Sequence, residues 1–466
     1  MTSTIASHEP RVFGTEMEYP VGDVGHIYKY IQGALPEGLA RVRLFLSNGG
    51  CLYDDHGFLE YSTPECDSMY DLIHAEAAGE LIAFMVASTM VEQGHIPQPD
   101  GFLKTVVDDE GNTWGYHENY LVDRKLFNRN AYDPYLISHF VSRTVETGAG
   151  RIVPTETGYD FWLAQKMVSL EKEKGQNTIH EKPLLNTRDE AHTGDDRRWA
   201  RLHVVCGDPN ITGRMLFQKI GETSLILRLP ENGFGDPDRL VPSNPVAAAR
   251  TIAQDPTLTK LIEFPDGRKL TALDMREQLI EQIEAMKQRV KDLPPEELDA
   301  FELMKATVND LKYDRQEAAT YVEWLKQKVT LDDLLERVPE DDLDARSKIV
   351  TRIRDRWSNQ DPAKNLGKRI MNPGPEKGSV NDGFVDPERV THAVYNATGT
   401  ARAEGRADFI LEHEAEYRDY EAIDQELDDQ DAPETARFIS VGWDYGKIDR
   451  EVEKWSDPHA GRALAA

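Results

Sequence analysis

Residues 11–19, Arg-Val-Phe-Gly-Thr-Glu-Met-Glu-Tyr, and residues 48–63, Asn-Gly-Gly-Cys-Leu-Tyr-Asp-Asp-His-Gly-Phe-Leu-Glu-Tyr-Ser-Thr, decide the fold. Strand side chains alternate between faces, so the first stretch divides cleanly. Phe13, Thr15, Met17 and Tyr19 fall on one side, and Gly14, Glu16 and Glu18 on the other. A second strand signal runs over 43–55 around the turn residues Asn48-Gly49-Gly50, with Cys51, Tyr53 and Asp55 on one face. His56-Gly57 then turns the chain, and 58–63 reads as the returning strand, carrying Glu60.

Carboxylates crowded on one face of adjacent strands are costly unless they are paired or hold cations. Carboxylate oxygens and water are what Mg²⁺ prefers, and it is commonly shared with substrate phosphates. Glu16, Glu18 and Glu60 are therefore candidate metal ligands, the alternative being a wet sheet face of ordinary acids. Asp55 can take a proton from an incoming nucleophile or orient a ligand. Arg188, Arg201, Arg402 and Arg406 lie in polar or boundary segments and suit phosphate or carboxylate contact. His203 is either structural or a phosphate or substrate contact. Neither a Walker loop nor a Gly-x-Gly-x-x-Gly turn occurs, and His117-Glu118 does not continue into a zincin motif.

Elsewhere, 69–93 reads as a long amphipathic helix with Ser68 as N-cap, and 101–110 as a strand and turn. Further helices are expected at 134–142, 244–254 and 271–290, the second opened by Asn244-Pro245. Residues 151–157 read as extended, 186–196 as a loop, and 201–206 and 224–229 as strands. Residues 295–347 are acidic and helix-rich, and near 415 the character changes into a small C-terminal lobe.

The 466 residues exceed the usual single-domain size. The expected division is 1–414 and 415–466. A formal charge of -29 argues against broad nucleic-acid binding, which needs clustered Lys and Arg. No apolar run is long enough for a membrane span, and the N-terminal residues lack a secretory apolar region. Three scattered cysteines make no disulfide framework. The expected compartment is the cytoplasm.

The motifs GTEMEYPV (14–21), NGGCLYDDHGFLEYSTPECD (48–67), YHENYLV (116–122), KPLLNTRDEAH (182–192), RLHVVCGDPN (201–210), the Lys-x-Gly-x-Thr-x-Leu run at 219–225 and TARAEGR (400–406) occur in order over roughly residues 11–410. Together they resemble the Pup ligase and Pup deamidase (depupylase) family, relatives of glutamine synthetase and glutamate–cysteine ligase. The resemblance implies an α+β fold, a glutamine synthetase-like antiparallel sheet cradle with helices behind and a small C-terminal domain. It implies ATP and Mg²⁺ as cofactors, with Glu16, Tyr53 and Glu60 as magnesium ligands and Asp55 as catalytic base; Glu18, on the face of Glu16, joins the expected metal set by its position on the strand. Thr63 and Trp443 are the implied ATP contacts, and Arg201, His203 and Arg402, read from their residue types, complete the expected nucleotide or cofactor contacts. Cys51 stands where the family usually has an arginine, and the Asp55–Glu60 interval is one residue shorter than in the ligase pattern.

The implied activity is pupylation, in the proteasome-linked conjugation pathway. The C-terminal glutamate of a small Pup-like modifier would be joined to lysine-bearing protein substrates. The short interval between Tyr19 and Asn48 favours the ligase branch. The alternatives are a deamidase or depupylase, and a non-catalytic binding protein on the same fold.

Overall fold

The structure is a computed structural model, and residues 10–21, 28–42, 44–97, 102–155, 158–178, 180–189, 197–236, 239–361, 363–372 and 383–422 are described. Its centre is a seven-stranded antiparallel sheet. The strands are β1 (Phe13–Tyr19), β2 (Arg41–Val42), β3 (Phe45–Leu46), β4 (Cys51–Asp55), β5 (Phe58–Ser62), β6 (Tyr116–Asp123) and β7 (Trp199–Val204), in the spatial order β7-β6-β1-β5-β4-β3-β2. The alternation expected for 11–19 is present: Phe13, Thr15, Met17 and Tyr19 are buried, while Gly14, Glu16 and Glu18 are only partly covered. The hairpin β4–β5 closes through His56 and Gly57, both with positive φ (50° and 95°), the geometry of a tight two-residue turn. The Asp54 carboxylate braces that turn by accepting the Gly57 N–H at 2.8 Å.

The covered face of the sheet packs on helices. Those used below are α1 (Met69–Glu92), α2 (Asp133–Ser142), α3 (Gly213–Glu231), α4 (Ala272–Lys287), α5 (Pro295–Tyr313) and α6 (Ala401–Ala422). Ser68 caps α1 as expected, its hydroxyl accepting the Asp71 N–H at 3.4 Å. By length and composition α1 could cross a bilayer, but 67% of its apolar window is buried inside the protein, where it serves as a core helix. Gly79 lets α1 sit directly on the sheet, since a Cβ there would lie 2.1 Å from the Tyr61 ring.

The expected strand at 224–229 is instead the C-terminal half of α3. Thr212 caps this helix, and Leu225, Ile226, Leu227 and Leu229 are all fully buried. A helix buried all round shows no amphipathic period, so its short apolar run cannot be told from a strand by pattern. Nor do 101–110 form a regular strand; they make only isolated bridges, Leu103 to Asn359 and Val107 to Thr113. The helices expected at 134–142, 244–254 and 271–290 are present, as is the strand Arg151–Thr155. Trp443 and most of the expected C-terminal lobe lie outside the described residues.

Behind the sheet is a layer of buried charge. Lys104 Nζ donates to Glu76 at 2.6 Å, to Glu80 and to the Asn210 carbonyl at 2.6 Å. Glu76 also accepts from Thr15 Oγ1 (2.7 Å) on β1 and Tyr116 Oη (3.0 Å) on β6, which clamps the two strands from below. Arg143 makes a two-pronged pair with Glu118 at 2.7 and 3.0 Å. Arg276 on α4 joins Glu146 to Glu222, and Glu297 on α5 holds Arg228. Buried ions endure only when paired, and each of these is.

Candidate active site

The open face of the sheet carries the functional groups, and strand register sets their rows. One row runs Cys51, Ser62, Glu16, His117 across β4, β5, β1 and β6. The next runs Tyr53, Glu60, Glu18, with Gly115 beyond, whose carbonyl accepts the Glu18 N–H at 3.0 Å. Asp55 lies one row further on, paired with Phe58 at the turn. In the other direction Gly14 faces Asn119, which faces His203. Three carboxylates from two strands, a tyrosine, a fourth carboxylate at the rim and two imidazoles thus converge on one surface.

Hydrogen bonds fix the orientation of the β6 and β7 groups. Asn119 Nδ2 donates to Glu16 Oε1 at 3.0 Å, so its Oδ1 is an acceptor. That oxygen receives Arg201 Nη1 at 3.1 Å and His203 Nδ1 at 2.9 Å. His203 therefore carries its proton on Nδ1 and leaves the Nε2 lone pair available to a ligand. Burial and then the Arg201 charge push its imidazole well below the usual value, which keeps it neutral. His117 Nδ1 lies 3.0 Å from Glu16 Oε2 and donates to it, leaving Nε2 as the ring atom that can coordinate a metal.

Burial disfavours a charged Glu16. The His117 hydrogen bond and the positive groups beside it, Arg201 among them, outweigh that and hold its carboxyl well below the usual range. Glu60 goes the other way: burial first, then the charges of Glu16, Glu18 and Asp55, push it well above the usual range, and a Tyr53 hydrogen bond offsets only part of this. A divalent cation among these oxygens reverses the penalty. Among the described residues, two sets have ligand atoms all within 4.8 Å of one another: Glu16, His117 and His203, and Glu18, Glu60 and His117. This donor chemistry, hard oxygens with imidazole, fits a metal shared with phosphate oxygens.

Gly115 makes room for this corner. A Cβ there would lie 2.3 Å from Glu18 Oε1 and 2.7 Å from His117 Cε1. His117 and Asn119, which the sequence did not single out as site residues, share the face of Glu16, but the Glu118 between them is polar too, so no alternation marks them.

Glu16, Glu18, Tyr53, Asp55, Glu60, Arg201 and His203 share the open face. Thr63 lies just beyond β5, its hydroxyl accepting the Thr15 N–H at 3.0 Å. Arg402 and Arg406, on α6, gather beside the Asn48–Gly50 turn. Arg406 donates to Glu65 at 2.7 and 2.9 Å and to the Gly49 carbonyl at 3.1 Å, and Arg402 lies 3.8 Å from Glu65. α6 therefore brings Arg406 onto the Gly49 carbonyl, at the turn that leads into Cys51. Lys219, from the 219–225 motif, is structural: its Nζ lies behind the sheet, donating to the Asp208 carbonyl at 2.8 Å over the Tyr116 ring.

An antiparallel cradle with acids on its open face is the scaffold of the glutamine synthetase-like carboxylate–amine ligases. Comparison with known proteins narrows this class. A family model described as Pup-ligase protein matches residues 5–424. A Pup–protein ligase of Acidimicrobium ferrooxidans is 30% identical over 424 residues, 88% of this chain and 90% of that protein. A depupylase of Acidothermus cellulolyticus is 37% identical over 252 residues, 53% of this chain and 48% of that protein. Among solved structures, the complex between Pup and its ligase PafA superposes with a TM-score of 0.72 at 25% identity, covering 87% of this chain and 84% of that one. PafA in complex with ADP gives 0.68 at 26% identity, covering 83% and 82%. The chain belongs to the Pup ligase family, and the breadth of the ligase match sets it nearer the ligase branch than the depupylase branch.

Proposed function

We propose that the protein is an ATP-dependent ligase that forms an isopeptide bond between the C-terminal glutamate of a small Pup-like modifier and substrate lysines. The observation that carries this is the convergence of Glu16, Glu18, Tyr53, Glu60 and Asp55 on one open sheet face. ATP phosphorylates the modifier: a γ-carboxylate oxygen attacks the γ-phosphorus, the bond to the β-phosphate oxygen breaks, and ADP leaves. The lysine nitrogen then attacks the acyl carbon and phosphate departs. Lysine is protonated at neutral pH and needs a base. Asp55, at the rim beside the acidic corner, takes that proton. Mg²⁺, when bound, neutralises charge on the transferring phosphoryl group.

Glu16, Glu18, Tyr53 and Glu60 would hold the metal, with His117 completing both ligand sets. Asn119 fixes Glu16 and His203. Arg201 and His203 face the nucleotide phosphates, and Thr63, Arg402 and Trp443 are the remaining nucleotide contacts. A cytoplasmic location and a separate small lobe over 415–466 belong to the same reading.

A second reading, amidase or isopeptidase, is supported by the 37% identity to a depupylase over half of the chain. Incubation with Glu-ended Pup, Gln-ended Pup and a pupylated protein separates the two. ATP turnover coupled to conjugate formation supports the ligase. Ammonia release or deconjugation without ATP turnover overturns it.

A further inference from the structure

Lys166 is a buried ammonium with too few partners. It lies at the start of the short 3-10 turn Met167–Ser169 and is 9% exposed. Its backbone is fixed: Asp208 accepts the N–H groups of Ala149, Gln165 and Lys166 at 3.0, 2.9 and 3.1 Å. Its Nζ donates to the Trp114 carbonyl at 2.6 Å, and among the described residues it has no other acceptor. An ammonium offers three donors, so two directions remain. Lys104 shows what a structural buried lysine has here, namely two carboxylates and a carbonyl about its Nζ.

The position of this ammonium matters more than its burial. Trp114 adjoins Gly115, and Glu18 Oε1 lies 2.3 Å from where a Gly115 Cβ would be. Nζ thus sits at the Glu18 corner of the open face, yet no carboxylate lies within ion-pair distance of it among the described residues. Burial depresses its pKa, and the Glu18 charge only partly restores it. A buried cation beside a candidate metal cluster, with one protein acceptor for three donors, is suited to an oxyanion.

We propose that Lys166 binds the reacting oxyanion at the Glu18 corner, through oxygens of either the terminal phosphoryl group of ATP or the modifier's γ-carboxylate. The proposal rests on the ligase reading and adds to it a cation from outside the sheet. Asp208, through the backbone N–H groups, and Trp114, through its carbonyl, are positioning residues for this ammonium.

Lys166→Met and Lys166→Arg test it, with the full chain and Mg²⁺ present. Calorimetry gives the affinities of ADP and a non-hydrolysable ATP analogue, and initial rates give KM for Glu-ended Pup. In Lys166→Met, ADP affinity stays within about twofold, while either analogue affinity falls or KM for Glu-ended Pup rises by about tenfold or more. Loss in the analogue arm identifies the phosphoryl oxygens; loss in the KM arm identifies the carboxylate. Lys166→Arg, which keeps the charge, recovers most of the loss. Wild-type values in both arms overturn the proposal. So does an equal loss of ADP and analogue affinity with a lowered Tm, the signature of a merely structural lysine. Wild-type protein that binds neither nucleotide sinks the ligase reading and takes this subsite with it.

Discussion

Gly115→Ala is the most economical probe of the acidic corner. Gly115 has no positive φ among the backbone exceptions, so alanine meets no backbone strain there. The methyl would lie 2.3 Å from Glu18 Oε1 and 2.7 Å from His117 Cε1, below the 3.0 Å that real Cβ contacts respect. The carboxylate must retreat by about 1 Å to restore ordinary contact. Both obstacles are side-chain ends that can swing, so the fold survives: the expected stability loss is about 1 kcal/mol, the low end for overpacking. Catalysis is less forgiving, because a misplacement of about 1 Å costs about 10²-fold in rate. Urea denaturation measures the first quantity and Mg-ATP-dependent conjugate formation the second. A Gly115→Ala protein with wild-type turnover would refute the assignment of Glu18 to the reacting centre. Loss of stability matching the loss of rate would refute the claim that Gly115 serves the site and not the fold.

Asp55→Asn abolishes turnover while Mg-ATP affinity stays within about tenfold, read by calorimetry beside a rate assay; full activity removes Asp55 from the base role. His117→Ala and Glu16→Ala both weaken Mg-ATP binding, since His117 enters both ligand sets and Glu16 is its partner; unchanged affinity contradicts the metal assignment. Lys104→Met leaves the buried Glu76 without an ammonium, and Glu80 with Lys368 alone, and costs about 3 kcal/mol or more in urea unfolding; a loss under about 1 kcal/mol refutes it. Glu65 is depressed from 4.5 to about 2: burial opposes ionisation, but the charges and hydrogen bonds of Arg406 and then Arg402 win. A depressed carboxyl stabilises above its unfolded value and loses that stability as pH falls through the folded one. Stability measured between pH 4.5 and about 2 should therefore fall less steeply in Arg406→Met than in wild type; parallel curves contradict the pairing.

The open face was legible because β1 alternates buried and partly covered residues, and because the Asn48–Gly50 and His56–Gly57 turn signals bound the β4–β5 hairpin beside it. Spacing alone put Glu16 with Glu18 and Tyr53 with Asp55 on shared strand faces; that these faces and Glu60 meet on one side is set by the register between strands. His117 and Asn119 were harder, because their neighbours Tyr116, Glu118 and Tyr120 are polar or amphipathic too. A strand whose covered side buries a glutamate in an ion pair does not alternate in hydrophobicity. α3 failed for a related reason: it is enclosed on all sides, and period carries no information there. Lys166 had no sequence signal, since its meaning depends on which acceptors the fold leaves beside it. Arg406 of α6 reaches the Gly49 carbonyl, at the turn before Cys51, by a tertiary contact more than three hundred residues along the chain.

The central claim is transfer of phosphate to the modifier's γ-carboxylate before the amine attacks. Labelling both γ-carboxylate oxygens of Glu-ended Pup with ¹⁸O tests it directly. The ligase mechanism predicts that each conjugate formed with Mg-ATP releases inorganic phosphate bearing one ¹⁸O atom. Conjugate formed with unlabelled phosphate, or phosphate released without conjugate while a Gln-ended Pup is deamidated, would contradict it.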